Sequence, residues 1–207
     1  MTVMEQFIYP CHLDMLKDLS LGGRPLADLV REIQTIYQAD DRPWIIGFSG
    51  GKDSTCVLSL VYAAVKQLPK KERHKHIYVV SSDTLVETPV VVDMIKHVLA
   101  LINESAKKED LPISAHPVVP KTDQTFWVNL IGKGYPAPNQ TFRWCTERMK
   151  IDPVSEFILD KVAQFGEAVV VLGSRSQESN SRAQVISKHK IDGSALSRHS
   201  SLPNAYT

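Results

Sequence analysis

Cysteine is scarce in this chain: Cys11, Cys56 and Cys145 are its three, in 207 residues. An odd, widely spaced set gives no disulfide framework, so a reducing cytoplasm is the expected location. An excess of one charge is missing too. Lys and Arg number 24 against 23 Asp and Glu, a net charge of +1. No whole-chain field then favours nucleic acid or a membrane surface, and a DNA role would need a local patch or a partner protein. No apolar run approaches the ~20 residues of a membrane span, so no membrane partner is expected. The opening Met1 to Gln6 lacks the basic-then-apolar order of a secretion signal, which sets aside the glycosylation patterns at Asn103 and Asn139. His74, His76, His97, His116, His189 and His199 lack zinc spacing and are expected on the solvated surface.

What is present is ordinary globular material, 43% hydrophobic and 23% charged, enough for one domain with a normal core. Arg24-Pro25 opens a helix with Leu26, Leu29, Val30, Ile33 and Tyr37 at helical spacing. An apolar strand follows at residues 44–48, then a glycine-rich turn and a helix striped by Val57, Val61, Ala64, Val65 and Leu68. A second strand at 76–80 runs into Ser81-Ser82-Asp83-Thr84. Thr88-Pro89 caps the next helix. Residues 113–119 read as a third strand, placed at an edge by Pro117. A short helix is expected from Asp123 through Leu130, then a loop over 132–138. Asp152-Pro153 caps a further helix, stopped by Gly166. Ala168 to Leu172 is wholly apolar and therefore central.

Alternating strands and helices, with strands that are continuous apolar runs, predict a mostly parallel sheet covered on both faces. The fold class is thus a Rossmann-like α/β/α sandwich, whose ligands bind beyond the carboxyl ends of the strands. Three such ends are chemically rich: Ser49 to Thr55, Ser82-Asp83-Thr84, and Gly173-Ser174-Arg175. Residues 1–22 form a lead segment, 23–186 the domain, and 187–207 a polar, strand-poor tail expected to begin a further region.

The turn Ser49-Gly50-Gly51-Lys52-Asp53-Ser54-Thr55 carries the strongest signal. Placed between strand and helix, it aims backbone N–H groups and the positive end of a helix dipole at one spot, a geometry that binds phosphate. Gly50 and Gly51 permit tight turning, and Ser49, Ser54 and Thr55 add hydroxyls. It is not a Walker A loop, because Asp53 follows Lys52 where Ser or Thr is required. A carboxylate among phosphates needs a divalent cation between them, which makes Asp53 a candidate magnesium ligand. The heptad resembles the PP-loop of the ATP pyrophosphatases.

Two further basic elements accompany it. In Phe142-Arg143-Trp144-Cys145-Thr146-Glu147-Arg148-Met149-Lys150, three cations surround one cysteine. They either stabilise a Cys145 thiolate or hold phosphates through Arg143 and Lys150. The alternative is a solvated basic loop around an inert cysteine. In Gly173-Ser174-Arg175-Ser176-Gln177-Glu178-Ser179-Asn180-Ser181-Arg182, Arg175 follows a central strand into the crevice. Phe48 and Trp144 are candidates to stack on adenine, with core packing the alternative.

Together with the PP-loop, these elements resemble the PAPS reductase family of adenine nucleotide α-hydrolases, over about Trp44 to Arg182. The stretches 142–150, 172–179 and 197–207 are most similar to its DndC-type and SspD-type members from DNA phosphorothioation systems. The resemblance implies cleavage of ATP to AMP and pyrophosphate, activating the DNA backbone for sulfur insertion. Lys52, Asp53, Arg143, Lys150 and Arg175 would be catalytic. Phe48, Ser49, Gly50, Gly51, Ser54, Thr55, Ser82, Asp83, Gly173 and Arg182 would join them in holding the nucleotide, with Asp53 on magnesium. The implied partners are other phosphorothioation proteins, a cysteine desulfurase as sulfur donor, and DNA through the complex. Members of that type also carry an iron–sulfur cluster, which takes about four cysteine ligands. This chain offers Cys145 toward one, so a cluster would need residues from beyond it. A sulfonucleotide reductase or sulfurylase-like enzyme, and a non-catalytic nucleotide-binding module, are the rival readings.

Overall fold

A computed structural model describes residues 20–173 and 196–207. A small antiparallel hairpin pairs Ser20–Leu21 with Arg24–Pro25. The elements that build the layers then follow in order: α1 (Leu26–Gln38), β1 (Trp44–Gly47), α2 (Lys52–Gln67), β2 (Ile77–Ser82), α3 (Pro89–Lys108), β3 (Ile113–Val118), α4 (Asp152–Phe165), β4 (Ala168–Val171) and β5 (Ala205–Tyr206). The five-stranded sheet has the order β3-β2-β1-β4-β5. Every pairing in it is parallel. The expected Rossmann-like α/β/α fold is what the chain adopts.

The sequence explains this architecture directly. Trp44, Ile45 and Ile46 are all buried, so β1 is apolar on both faces as a central parallel strand requires. One layer packs Ile46, Phe48, Leu58, Val61, Val65, Val79, Val98 and Ile102 between the sheet and helices α2 and α3. The opposite layer sets Ile45, Val80 and Val170 against Ile158 of α4. Each such fully buried aliphatic contributes about 1.5–3 kcal/mol of transfer free energy. Gly166 adopts φ +85° at the end of α4, a left-handed stop that glycine allows without strain.

β3 is an edge strand, as Pro117 predicts. Its open side is occupied at one point by α3: Asn103 Oδ1 accepts from the Ala115 N–H at 2.7 Å, and Asn103 Nδ2 donates to the Ala115 carbonyl at 3.1 Å.

Four expectations are corrected. Residues 205–206, assigned to a strand-poor tail, form β5 on β4, with the Ala168 N–H donating to the Asn204 carbonyl at 3.1 Å. Asp152 does not cap a helix, because Trp144–Thr146, a π-helical turn Glu147–Ile151 and α4 run on continuously. Thr88 stands at the N-cap of α3 and Pro89 at its first position, but the Thr88 hydroxyl makes no capping bond. The helix expected from Asp123 is instead a 3-10 turn at Thr122–Gln124 and a π-helical turn at Val128–Gly132. Side-chain demands override helical spacing there. Asn129 is fully buried and donates to the Thr125 carbonyl.

Candidate functional site

The sheet order reverses between β1 and β4, since β2 and β3 lie on one side of β1 while β4 returns on the other. Loops leaving adjacent strands in opposite directions open a crevice at such a switch point. Ser49 to Thr55 leaves β1 there, and Gly173 follows β4. Register places Gly47 opposite Val80 and Ile46 opposite Val171, so both loops emerge at one edge.

The turn is held by its own atoms. Phe48 N–H donates to the Val80 carbonyl at 2.8 Å, anchoring its start. Ser54, only 6% exposed, accepts from the Ser49 N–H at 3.3 Å and donates to the Gly51 carbonyl at 3.0 Å. Its Oγ also lies 3.1 Å from Ser49 Oγ. Ser54 therefore shapes the loop from beneath, rather than presenting a hydroxyl to a ligand. Gly50 has φ +70°, and a Cβ there would lie 2.7 Å from Ile95 Cδ1 of α3. Gly51 is the N-cap of α2, and the opening turn of that helix carries Lys52 and Asp53. Lys52 is exposed and Asp53 half-buried.

Gly173 closes the other wall. A Cβ on it would meet Asp53 C and O at 2.8 Å and Ser54 N at 2.9 Å. No side chain fits, and backbone touches backbone across the switch point.

The remaining wall comes from β2 and the helix leading into α4. Ser82 Oγ donates to the Lys150 carbonyl at 3.4 Å. Asp83 N–H donates to the Val118 carbonyl at 2.8 Å, and Asp83 Oδ1 accepts from Leu85 N–H at 2.9 Å. Leu85 takes φ +62°, a conformation a branched side chain resists. Glu87 ties this segment together: its Oε1 accepts from Thr84 Oγ1 at 3.1 Å and lies 3.9 Å from Lys150 Nζ. The sequence reading missed Glu87, because Lys150, the partner that ties it to the crevice, meets it only in the folded chain.

Several candidate residues serve other ends. The Phe48 ring is 5% exposed within the core, so it is not an adenine platform. Trp144 is 4% exposed, stacks on Phe126 at 5.4 Å and donates through Nε1 to the Pro136 carbonyl. Arg148 is committed to Gln124 and the Tyr135 hydroxyl. Arg143 is exposed at the start of the helix that also carries Cys145 and Lys150. Arg175 and Arg182, like Ser174, Glu178 and Ser179, lie outside the described residues. Concavities elsewhere include a cleft of about 140 Å³ lined by Val119, Lys121, Gln124, Arg148, Asp152 and Glu156.

Among the described residues no three His, Cys, Asp or Glu side chains assemble a metal centre. Cys56 lies on α2 and Cys145 before α4, two cysteines on separate elements. Among the described residues the cysteine donors do not fit an iron–sulfur cluster. Asp53, one partly exposed carboxylate in the first turn of α2, fits the kind of site magnesium uses when it is held jointly with phosphate. No helix among the described residues is long and apolar enough to cross a membrane.

A glycine-lined turn at the switch point of a parallel sheet defines the class of α/β nucleotide-binding folds. Residues 43–193 match the phosphoadenosine phosphosulfate reductase domain, and the chain belongs to that family. Membership supports a nucleotide-utilising enzyme in the broad sense. The chain is also 27% identical over 154 residues to an uncharacterized protein of Methanocaldococcus jannaschii. The matched region covers 73% of this chain and 26% of that relative, so the chain spans about a quarter of the relative's length.

Proposed function

We propose that this chain is an ATP pyrophosphatase module that activates an acceptor by adenylation, in the manner of the DNA phosphorothioation sulfurtransferases its motifs resemble. The observation that carries the reading is the Ser49–Thr55 turn at the β1–β4 switch point, closed by Gly173 against Asp53 and Ser54. Among the described residues the contact between Gly173 and the Asp53–Ser54 peptide is main chain on both sides, which suits close approach of a polyphosphate.

In this reading an oxygen nucleophile attacks the α-phosphorus. The bridging bond between the α- and β-phosphates breaks, and pyrophosphate leaves. The backbone of Ser49 to Thr55 and the Lys52 ammonium hold the phosphates in line, the positioning and charge stabilisation that such transfers need. Asp53 would hold magnesium, which would supply neutralisation of phosphate charge. Arg143 and Lys150 take the leaving group, joined by Arg175 and Arg182, while Ser82 and Asp83 hold the adenosine. The proposed acceptor is a DNA backbone phosphate, reached within a complex that includes a cysteine desulfurase. A cluster, if the assembled system uses one, draws its ligands from beyond these residues.

The family name favours a second reading, a sulfonucleotide reductase acting on phosphoadenosine phosphosulfate. Product analysis separates the two. Incubation with magnesium and ATP should yield AMP and pyrophosphate in equal amounts. ADP and phosphate, or turnover only with a sulfonucleotide and a thiol, would reject the proposal. Tight ATP binding with no product over hours points instead to a non-catalytic module.

A further inference from the structure

Two histidines expected on the solvated surface meet through one hydroxyl instead. His76 Nε2 and His116 Nε2 each lie 2.7 Å from Ser114 Oγ. A serine hydroxyl has one proton to donate and lone pairs to accept. Between two neutral rings it can donate to one and accept from the other. In that arrangement the two imidazoles hold opposite tautomers, one protonated at Nε2 and the other at Nδ1.

The bridge joins the start of β2 to β3 beneath α4. His76 precedes β2, Ser114 and His116 belong to β3, and α4 covers them. The His116 ring is 5.5 Å from Phe157 of α4, and Tyr78 of β2 lies 4.5 Å from His76 and 5.8 Å from Phe157. The charged group that α4 turns toward them is Lys161, its Nζ 5.0 Å from the Tyr78 ring and 5.2 Å from Phe157. Asp160 pairs with Lys161 at 3.1 Å. From β2 the facing titratable group is Tyr78.

We propose that the His76–Ser114–His116 bridge is a proton-sensitive latch seating α4 on the sheet, closed when both rings are neutral and loosened when one gains a proton. An added proton makes the accepting ring a second N–H donor toward Ser114. The Ser114 hydroxyl must then accept from both rings and loses the partner for its own proton, and a cation forms close to Lys161 against the aromatic wall. Burial holds the His76 pKa below the ordinary histidine value, aided by His116 and Lys161. Burial and then Lys161 do the same for His116. A depressed folded-state value means the latch contributes fully above the unfolded histidine pKa of about 6.5. Its contribution is lost as pH falls from there through the folded value. Because Lys150 rides on the same continuous helix, release would also reach the crevice. That consequence rests on the function proposed above; the latch itself does not.

Denaturant unfolding from pH 8 to pH 5 tests it, comparing the native chain with the double variant His76→Gln, His116→Gln. Glutamine keeps hydrogen-bonding capacity without titrating. The native unfolding constant should rise about tenfold for each unit of depressed histidine pKa, and the double variant should lose most of that rise. An equal rise in both proteins overturns the latch. If the variant does not fold, hydrogen exchange of the native chain at pH 7.5 and 5.5 decides, after correction for intrinsic rates. Selective loss of protection in α4, with α2 unchanged, supports the latch; uniform loss or none defeats it.

Discussion

Gly173 lies against the peptide of Asp53 so closely that a methyl group at 173 would sit 2.8 Å from the Asp53 carbonyl carbon and oxygen. Both partners are main chain, one behind β4 and one in the first turn of α2, so neither can swing aside. Gly173→Ala should push the two loops apart and destabilise the fold by about 1–3 kcal/mol, the usual cost of overpacking. Urea denaturation reads this directly. A variant as stable as the native chain would mean the contact is looser than described.

Ser54 offers a gentler perturbation of the same turn. Its hydroxyl joins Ser49 to Gly51 from a buried position. Ser54→Ala removes the acceptor of the Ser49 N–H, while the Gly51 carbonyl keeps the Thr55 N–H at 3.0 Å, a loss of about 1 kcal/mol. Under the proposed function, KM for ATP should rise more than kcat falls, because the loop is shaped by Ser54 and the phosphates are held by others. Steady-state kinetics checks the split.

Lys52 is exposed at the head of α2, so Lys52→Ala should leave thermal unfolding nearly unchanged. Pyrophosphate release should nonetheless fall by about 10²–10³-fold, typical of deleting one electrostatic stabiliser of a transition state. Asp53→Ala should lose activity likewise, and extra magnesium should not restore it. Full turnover in either variant refutes the assigned roles.

At the opposite end of the sheet, Asp40 holds two cations: Lys75 Nζ at 2.9 Å and Arg42 Nη2 at 2.5 Å. Burial works to raise the Asp40 pKa, yet hydrogen bonds from Arg42 and Lys75 win and leave it below the usual aspartate value. Lys75, whose side chain is 2% exposed, is paired with Asp40 and helped more weakly by Asp41, but burial, with Arg42 nearby, pushes its ammonium down. Asp40→Asn strands that ammonium and should cost about 3 kcal/mol. The Asp40 contribution is fully present above its unfolded pKa near 4 and disappears as pH drops through the lower folded value. Acid unfolding followed below pH 4 should therefore be less steep in the variant.

Strand periodicity, the loop after β1 and the edge position of Pro117 were all readable from the chain, because each depends on neighbours in sequence. The family could be read from the same motifs. What escaped depends on partners distant in sequence. β5 is two residues long, too short to show alternation, and exists because β4 presents an open side. The Glu87–Lys150 pair and the His76–Ser114–His116 bridge join elements that only folding brings together. Phe48 and Trp144 mislead for a related reason: an aromatic ring near a motif looks the same in sequence whether it faces ligand or core.

Asn103 gives the sheet a built-in terminus. By engaging both main-chain groups of Ala115, its carboxamide imitates a sixth strand for the length of one residue. Two positions on, Pro117 has no amide proton to offer. A stray extended peptide approaching this border finds one rung already taken and the next without a donor, so the chain resists recruitment into edge-to-edge aggregates.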